Sequence, residues 1–184
     1  MSSRIEALME RNREFATGEA WTNTPPLPFL PHLGVYVVTC IDPRTDPAEF
    51  LGLRFAEAIV ARSVGGRVTA DVMRDLAYIG YLVETKAPDG PYFEAAIVHH
   101  TDCGSGLLAD AELRHGFAAR SGIDEATLAE LAVLDPAATV RTDVERVLSD
   151  PSISDRITAS GHVYDVDTGL IETVVAAESP AARV

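Results

Sequence analysis

Residues 93 to 104 read Phe93-Glu-Ala-Ala-Ile-Val-His-His-Thr-Asp-Cys-Gly104. The run from Phe93 to Val98 is almost wholly apolar and has the length of a strand. Ligand chemistry follows directly, with two imidazoles, a carboxylate and a thiol between His99 and Cys103. In open parallel sheets, sites form outside the carboxyl ends of strands. The stretch therefore predicts a strand over 93–98 and a site at its end.

Working outward, Val35-Tyr-Val-Val-Thr39 is β-branched and apolar on both faces, the pattern of a buried parallel strand. It delivers Cys40 at its own carboxyl end. Glu57-Ala-Ile-Val-Ala61 reads as a further strand, followed by the loop Arg62-Ser-Val-Gly-Gly66. Thr69 is placed to cap a helix reaching about Thr85, with Val72, Leu76, Ile79 and Val83 on one face. Helices are expected over 107–120, 124–133 and 136–149. Gly161 to Gly169 followed by Leu170-Ile-Glu-Thr-Val-Val175 reads as a hairpin turning at Asp167-Thr-Gly169. Strands alternating with helices predict an α/β fold: a mainly parallel central β-sheet flanked by helices, with a C-terminal β-hairpin.

Before this sheet, residues 3 to 16 carry Ile5, Leu8, Met9 and Phe15 at helical spacing, ending near Gly18. Thr24-Pro-Pro-Leu-Pro-Phe-Leu-Pro31 makes an extended connector, because its prolines exclude regular structure. Residues 1–33 are thus an N-terminal helical arm and connector, 34–176 the α/β domain, and 177–184 a flexible tail. The arm has two open destinations, a partner subunit or its own domain.

The chain has 184 residues, enough for one domain with a full core. Acidic residues number 28 against 15 basic, for a formal charge of −13. Nucleic acid and anionic membrane would both repel such a surface. No segment approaches the roughly 18 to 20 apolar residues of a membrane helix. The charged N-terminus lacks a signal-peptide core, so the default expectation is a cytoplasmic location.

Only Cys40 and Cys103 supply thiols. Cys40 and His100 leave strand ends, and Cys103 lies three residues beyond His100, so one loop can present two donors to one ion. Two thiolates and an imidazole suit Zn²⁺, one per chain, and three protein ligands leave a tetrahedral position open. The His-x-x-Cys register selects His100 over His99, which points to the opposite face if the strand persists. Asp42 and Arg44 follow Cys40 closely. Paired hydrogen bonds from an arginine orient a carboxylate and keep it ionised. Asp42 so held could aim a zinc-bound hydroxide, or it could swing onto the metal as a fourth ligand.

Cys40-x-Asp42-x-Arg44, His100-x-x-Cys103-Gly104, the Arg62 to Gly66 loop and the Gly161 to Gly169 ending occur together and in order. In this the chain resembles the β-class carbonic anhydrases from about residue 34 to 175. The resemblance implies zinc held by Cys40, His100 and Cys103, with Asp42 and Arg44 as the catalytic dyad. It implies attack of zinc-bound hydroxide on carbon dioxide, giving bicarbonate, and a homodimer or higher homo-oligomer. The sequence departs from the family at Ser63-Val64, where many members carry Asn-Ala, and at Pro43, usually a small residue. His-His-Thr-Asp-Cys-Gly is similar to a subgroup of small members that includes carbonyl sulfide hydrolases, so carbonyl sulfide and carbon disulfide stand as alternative substrates.

Two rival readings of the residues remain. In one, Asp42 permanently closes a non-catalytic zinc site; in the other, Cys40 and Cys103 form a redox disulfide. His32 and His115 are expected at the surface, His99 packed, and His162 structural. Asp102 is expected to orient its loop. Gly104 is expected to allow tight backbone passage or to turn its amide to the site.

Overall fold

The computed structural model describes residues 4–24, 26–89 and 93–180. Its contacts divide the chain into two compact units, Met1–Leu30 and Pro31–Val184. In the first unit, α1 (Glu6–Thr17) and the short α2 (Glu19–Thr22) flank Gly18, and α1 buries none of its residues. Ser3, expected to open the first helix, and Pro25 of the connector lie outside the described residues. Residues 26–31 take no regular structure, as their prolines dictate.

The second unit is built on a five-stranded sheet in the order β2-β1-β3-β4-β5. The strands are β1 (Val35–Cys40), β2 (Ala58–Ser63), β3 (Phe93–His100), β4 (Ile157–Tyr164) and β5 (Ile171–Glu178). The first four run parallel, and β5 pairs antiparallel with β4. This is the expected α/β architecture with its C-terminal hairpin. The central β1 and β3 carry the apolar residues Val37, Val38, Ala95, Ile97 and Val98, all buried. Such two-sided burial is what a near-continuous apolar strand requires.

Several boundaries differ from the sequence reading, each for a physical reason. β3 continues through His99 and His100 because they pair with Val163 and Tyr164 on β4. β4 begins at Ile157 rather than Gly161, since Phe93 already pairs there. The stretch 107–120 is divided at Asp110: a 3-10 turn, Gly104–Ala109, precedes α5 (Ala111–Ser121). The Asp110 carboxylate accepts from the Leu113 amide and starts a new helix there. The expected tail is also shortened, because Ala177 and Glu178 belong to β5; residues 181–184 lie outside the described residues.

The remaining helices are α3 (Pro47–Phe50), α4 (Ala70–Lys86), α6 (Glu125–Glu130) and α7 (Pro136–Ser149). Thr69 caps α4 and Asp135 caps α7, whose first residue is proline. A Cβ at Gly161 of β4 would meet Val144 and Val140 at 3.0 and 3.3 Å, so α7 lies directly on the sheet there. Among the described residues no helix is long and apolar enough to cross a membrane.

Candidate metal centre

β1 and β3 are parallel neighbours, so Cys40 and His100, each the last residue of its strand, finish at one sheet edge. The chain then turns, bringing Cys103 back to the same place. The donor atoms of Cys40, His100 and Cys103 all lie within 4.8 Å of one another. The two sulfurs are 3.9 Å apart and both cysteines are free. Two sulfurs about 2.3 Å from one tetrahedral ion stand roughly 3.8 Å apart, so this spacing suits a shared zinc.

The imidazole is equally prepared. His100 Nδ1 lies 2.8 Å from the Thr101 carbonyl, which accepts its hydrogen bond and leaves the Nε2 lone pair free to bind a cation. Nε2 is buried with no hydrogen-bond partner among the described residues. A buried nitrogen pays for such isolation unless something accepts its lone pair. A cation fits.

Electrostatics point the same way. The hydrogen bond between the sulfurs favours charge on Cys103, whose pKa is lowered despite burial, with His100 and Ser105 assisting. That same contact, with burial, pushes the Cys40 thiol well above its ordinary value. Burial opposes a charge on His100, but the Cys103 sulfur outweighs it and raises its pKa. One thiolate is welcome and a second is resisted, until a divalent cation offsets both.

Beside this cluster stands Asp42. Arg44 donates to its Oδ1 from the backbone amide at 2.9 Å and from Nε at 3.0 Å, and to Oδ2 from Nη2 at 2.8 Å. These bonds, against burial, lower the Asp42 carboxyl to about 2. Asp42 is not among the three groups whose donor atoms converge. The guanidinium is itself held, donating from Nη1 to Asp102 Oδ2 at 2.8 Å and from Nη2 to the Asp102 carbonyl at 2.9 Å.

Backbone around the site is fastened from several sides. Arg62 donates to the carbonyls of Cys40 and Asp42 at 2.9 and 2.6 Å, and the buried Thr45 hydroxyl lies 3.0 and 2.9 Å from the same two oxygens. Gly66 has φ +68°, and a Cβ there would come within 3.0 Å of the Cys40 amide nitrogen. Gly65, at φ +71°, would strike Ser105 Oγ and the Leu131 carbonyl. This glycine loop is thus a wedge under the ligand strand. Gly104 has open space where a Cβ would be, so tight passage is not its role.

His99 faces away from the cluster and is fully buried. Its Nδ1 is 2.8 Å from Thr139 Oγ1, and its Nε2 is 3.2 Å from Asp143 Oδ2. Asp143 also accepts from Arg67 Nε and Nη2 and from the Val68 amide, at 2.7, 3.0 and 3.0 Å. Sequence reasoning missed this network. A signal existed, because Asp143 falls on the stripe Val140, Val144 and Val147 that α7 buries. His32 is exposed, and His115 pairs at the surface with Glu125. His162 bonds to Ser160 and Thr173 within the sheet.

No protein-family model matches the chain. Over 149 residues, 81% of this chain and 86% of the relative, it is 32% identical to β-carbonic anhydrase 1 of Mycobacterium tuberculosis. The chain belongs to the β-carbonic anhydrase family. The crystal structure of carbonic anhydrase from Streptococcus mutans superposes with a TM-score of 0.77 at 32% identity, covering 95% of this chain and 99% of that one. Similarity extends to a carbon disulfide hydrolase of Acidianus sp., 26% identical over 73% of this chain and 74% of that relative.

Proposed function

We propose that this member of the family hydrates carbon dioxide reversibly to bicarbonate and a proton at one zinc ion per chain, held by Cys40, His100 and Cys103, with Asp42 and Arg44 as the catalytic pair. The observation that carries the reading is the convergence of two sulfurs and an unpartnered imidazole nitrogen beside a carboxylate clamped by arginine. Zinc in such a site supplies the Lewis acidity that makes water a nucleophile near neutral pH.

The chain's own residues supply the rest. Asp42, with a pKa of about 2, is ionised wherever the enzyme works. Its Oδ2 receives one donor from Arg44 and keeps lone-pair capacity to accept a proton-bearing oxygen of the nucleophile, which sets that oxygen's direction. So low a pKa makes Asp42 an orienting group and a poor resting place for the released proton. Arg44 keeps the carboxylate anionic and turned to its task. The water oxygen adds to the carbon of carbon dioxide, and one proton leaves to solvent.

The test measures zinc stoichiometry and carbon dioxide hydration on one sample. Asp42→Asn is expected to lower turnover by at least about a hundredfold while zinc stays near one per chain. Full activity in that variant, or wild-type protein without zinc, would refute the assignment.

A second reading rests on the match to a carbon disulfide hydrolase: the same residues acting on carbonyl sulfide or carbon disulfide. Parallel assays for bicarbonate and hydrogen sulfide separate the two. The arm, residues 1–33, is assigned to assembly of a homodimer or higher homo-oligomer, the α/β domain, 34–176, to catalysis, and the location to the cytoplasm. Leu8 and Met9 support the first assignment, since α1 leaves both half exposed.

A further inference from the structure

Arg44 carries two carboxylates, and only one belongs to the catalytic pair. The second is Asp102, between the proposed ligands His100 and Cys103. Its backbone is left-handed, φ +52°, one of two such non-glycine residues among those described. That conformation costs a non-glycine residue energy, and aspartate bears it better than most. Here it aims two acceptors of one residue at one guanidinium: Oδ2 receives Nη1, and the carbonyl receives Nη2. Nε and the other side of Nη2 go to Asp42. Arg44 therefore bridges the loop after β1 to the loop after β3.

We propose that Asp102 is a positioning residue, whose carboxylate and strained carbonyl pin Arg44 and thereby hold Asp42 in register with the loop bearing His100 and Cys103, away from the metal's fourth position. The inference rests on the zinc reading above. When Asp102 loses its charge or its whole side chain, the bond from Nη1 is weakened or gone, and the guanidinium is freer to pivot with the Asp42 it carries. An unpinned Asp42 occupies the open position part of the time.

The sign of one measurement separates this role from simple charge. Removing a negative residue near a cationic site should tighten anion binding through space. Loss of the pin should weaken it, because Asp42 then competes with the anion. Thiocyanate is titrated calorimetrically into zinc-loaded protein: wild type, Asp102→Asn, Asp102→Gly, Asp42→Asn and the double variant Asp42→Asn with Asp102→Asn. Asparagine and glycine both tolerate the left-handed backbone, so the fold is kept.

The expected result is zinc near one per chain throughout, thiocyanate affinity at least threefold weaker in both Asp102 single variants, and no weakening when Asp102→Asn is added to Asp42→Asn. Such coupling is what a residue acting only through Asp42 must show. Unchanged or tighter thiocyanate binding in Asp102→Asn and Asp102→Gly overturns the proposal while leaving the zinc reading intact. Wild-type protein that binds neither zinc nor thiocyanate overturns both.

Discussion

Asp42 shows how much one arginine does at the scale of a residue. With three hydrogen bonds from Arg44, its carboxyl falls to about 2, so between pH 5 and 9 it contributes no titration of its own. Asp42 therefore does not set the pH dependence of activity in that range, which on the proposed zinc reading is assigned to the metal site. Two thiolates donate more charge to a cation than imidazoles do, so the water activated there is less acidic than at an all-histidine site. Activity is therefore expected to rise from neutral pH toward pH 9 in a stopped-flow hydration assay, and a flat or falling profile would contradict the ligand set. Both members of the pair were legible in the sequence, because they lie close to Cys40. Asp102 as the far anchor of Arg44 was not legible, since 58 residues separate them.

Among elements, the glycine loop after β2 carries the clearest consequence. Gly66 combines a left-handed backbone with a Cβ position 3.0 Å from the Cys40 amide and 3.1 Å from the Thr39 carbonyl carbon. Neither neighbour is a flexible side chain that could yield. Gly66→Ala is expected to lower unfolding free energy by about 1–3 kcal/mol in urea titration and to weaken zinc retention. Gly104→Ala, where the Cβ meets open space, should change stability by less than about 0.5 kcal/mol. Element types were readable from periodicity and caps. Their ends were not, as β3 shows: the strand stops where pairing with β4 stops, and no local pattern encodes that partner.

For the whole molecule, the buried group of Arg67, His99 and Asp143 links β3, α7 and the end of the glycine loop. Burial alone would raise the Asp143 carboxyl, but His99 and Arg67 outweigh it and hold the group below the usual carboxylate range. A carboxyl depressed in the folded state stabilises fully above its unfolded pKa, near 3.9, and that stabilisation is lost as pH falls toward the folded value. In metal-free protein, Asp143→Asn is expected to cost about 3–5 kcal/mol at pH 7, since it leaves Arg67 charged and unmatched. The gap from wild type should narrow below about pH 4 in denaturant titrations. A gap that stays constant down to pH 2 would remove Asp143 from the acid response.

Strand and helix types, the parallel sheet and the zinc-suited donor set with its acidic companion were all determined by the sequence, because period, caps and residue chemistry are local properties. Tertiary structure alone decided that Cys40 and Cys103, 63 residues apart, come within 3.9 Å. It also decided that Arg44 reaches Asp102 and that Asp143 meets Arg67. These meetings follow from β1 lying beside β3 and from α7 crossing β3 and β4. Such adjacency is set by long-range pairing and packing, which no spacing along a single chain segment records.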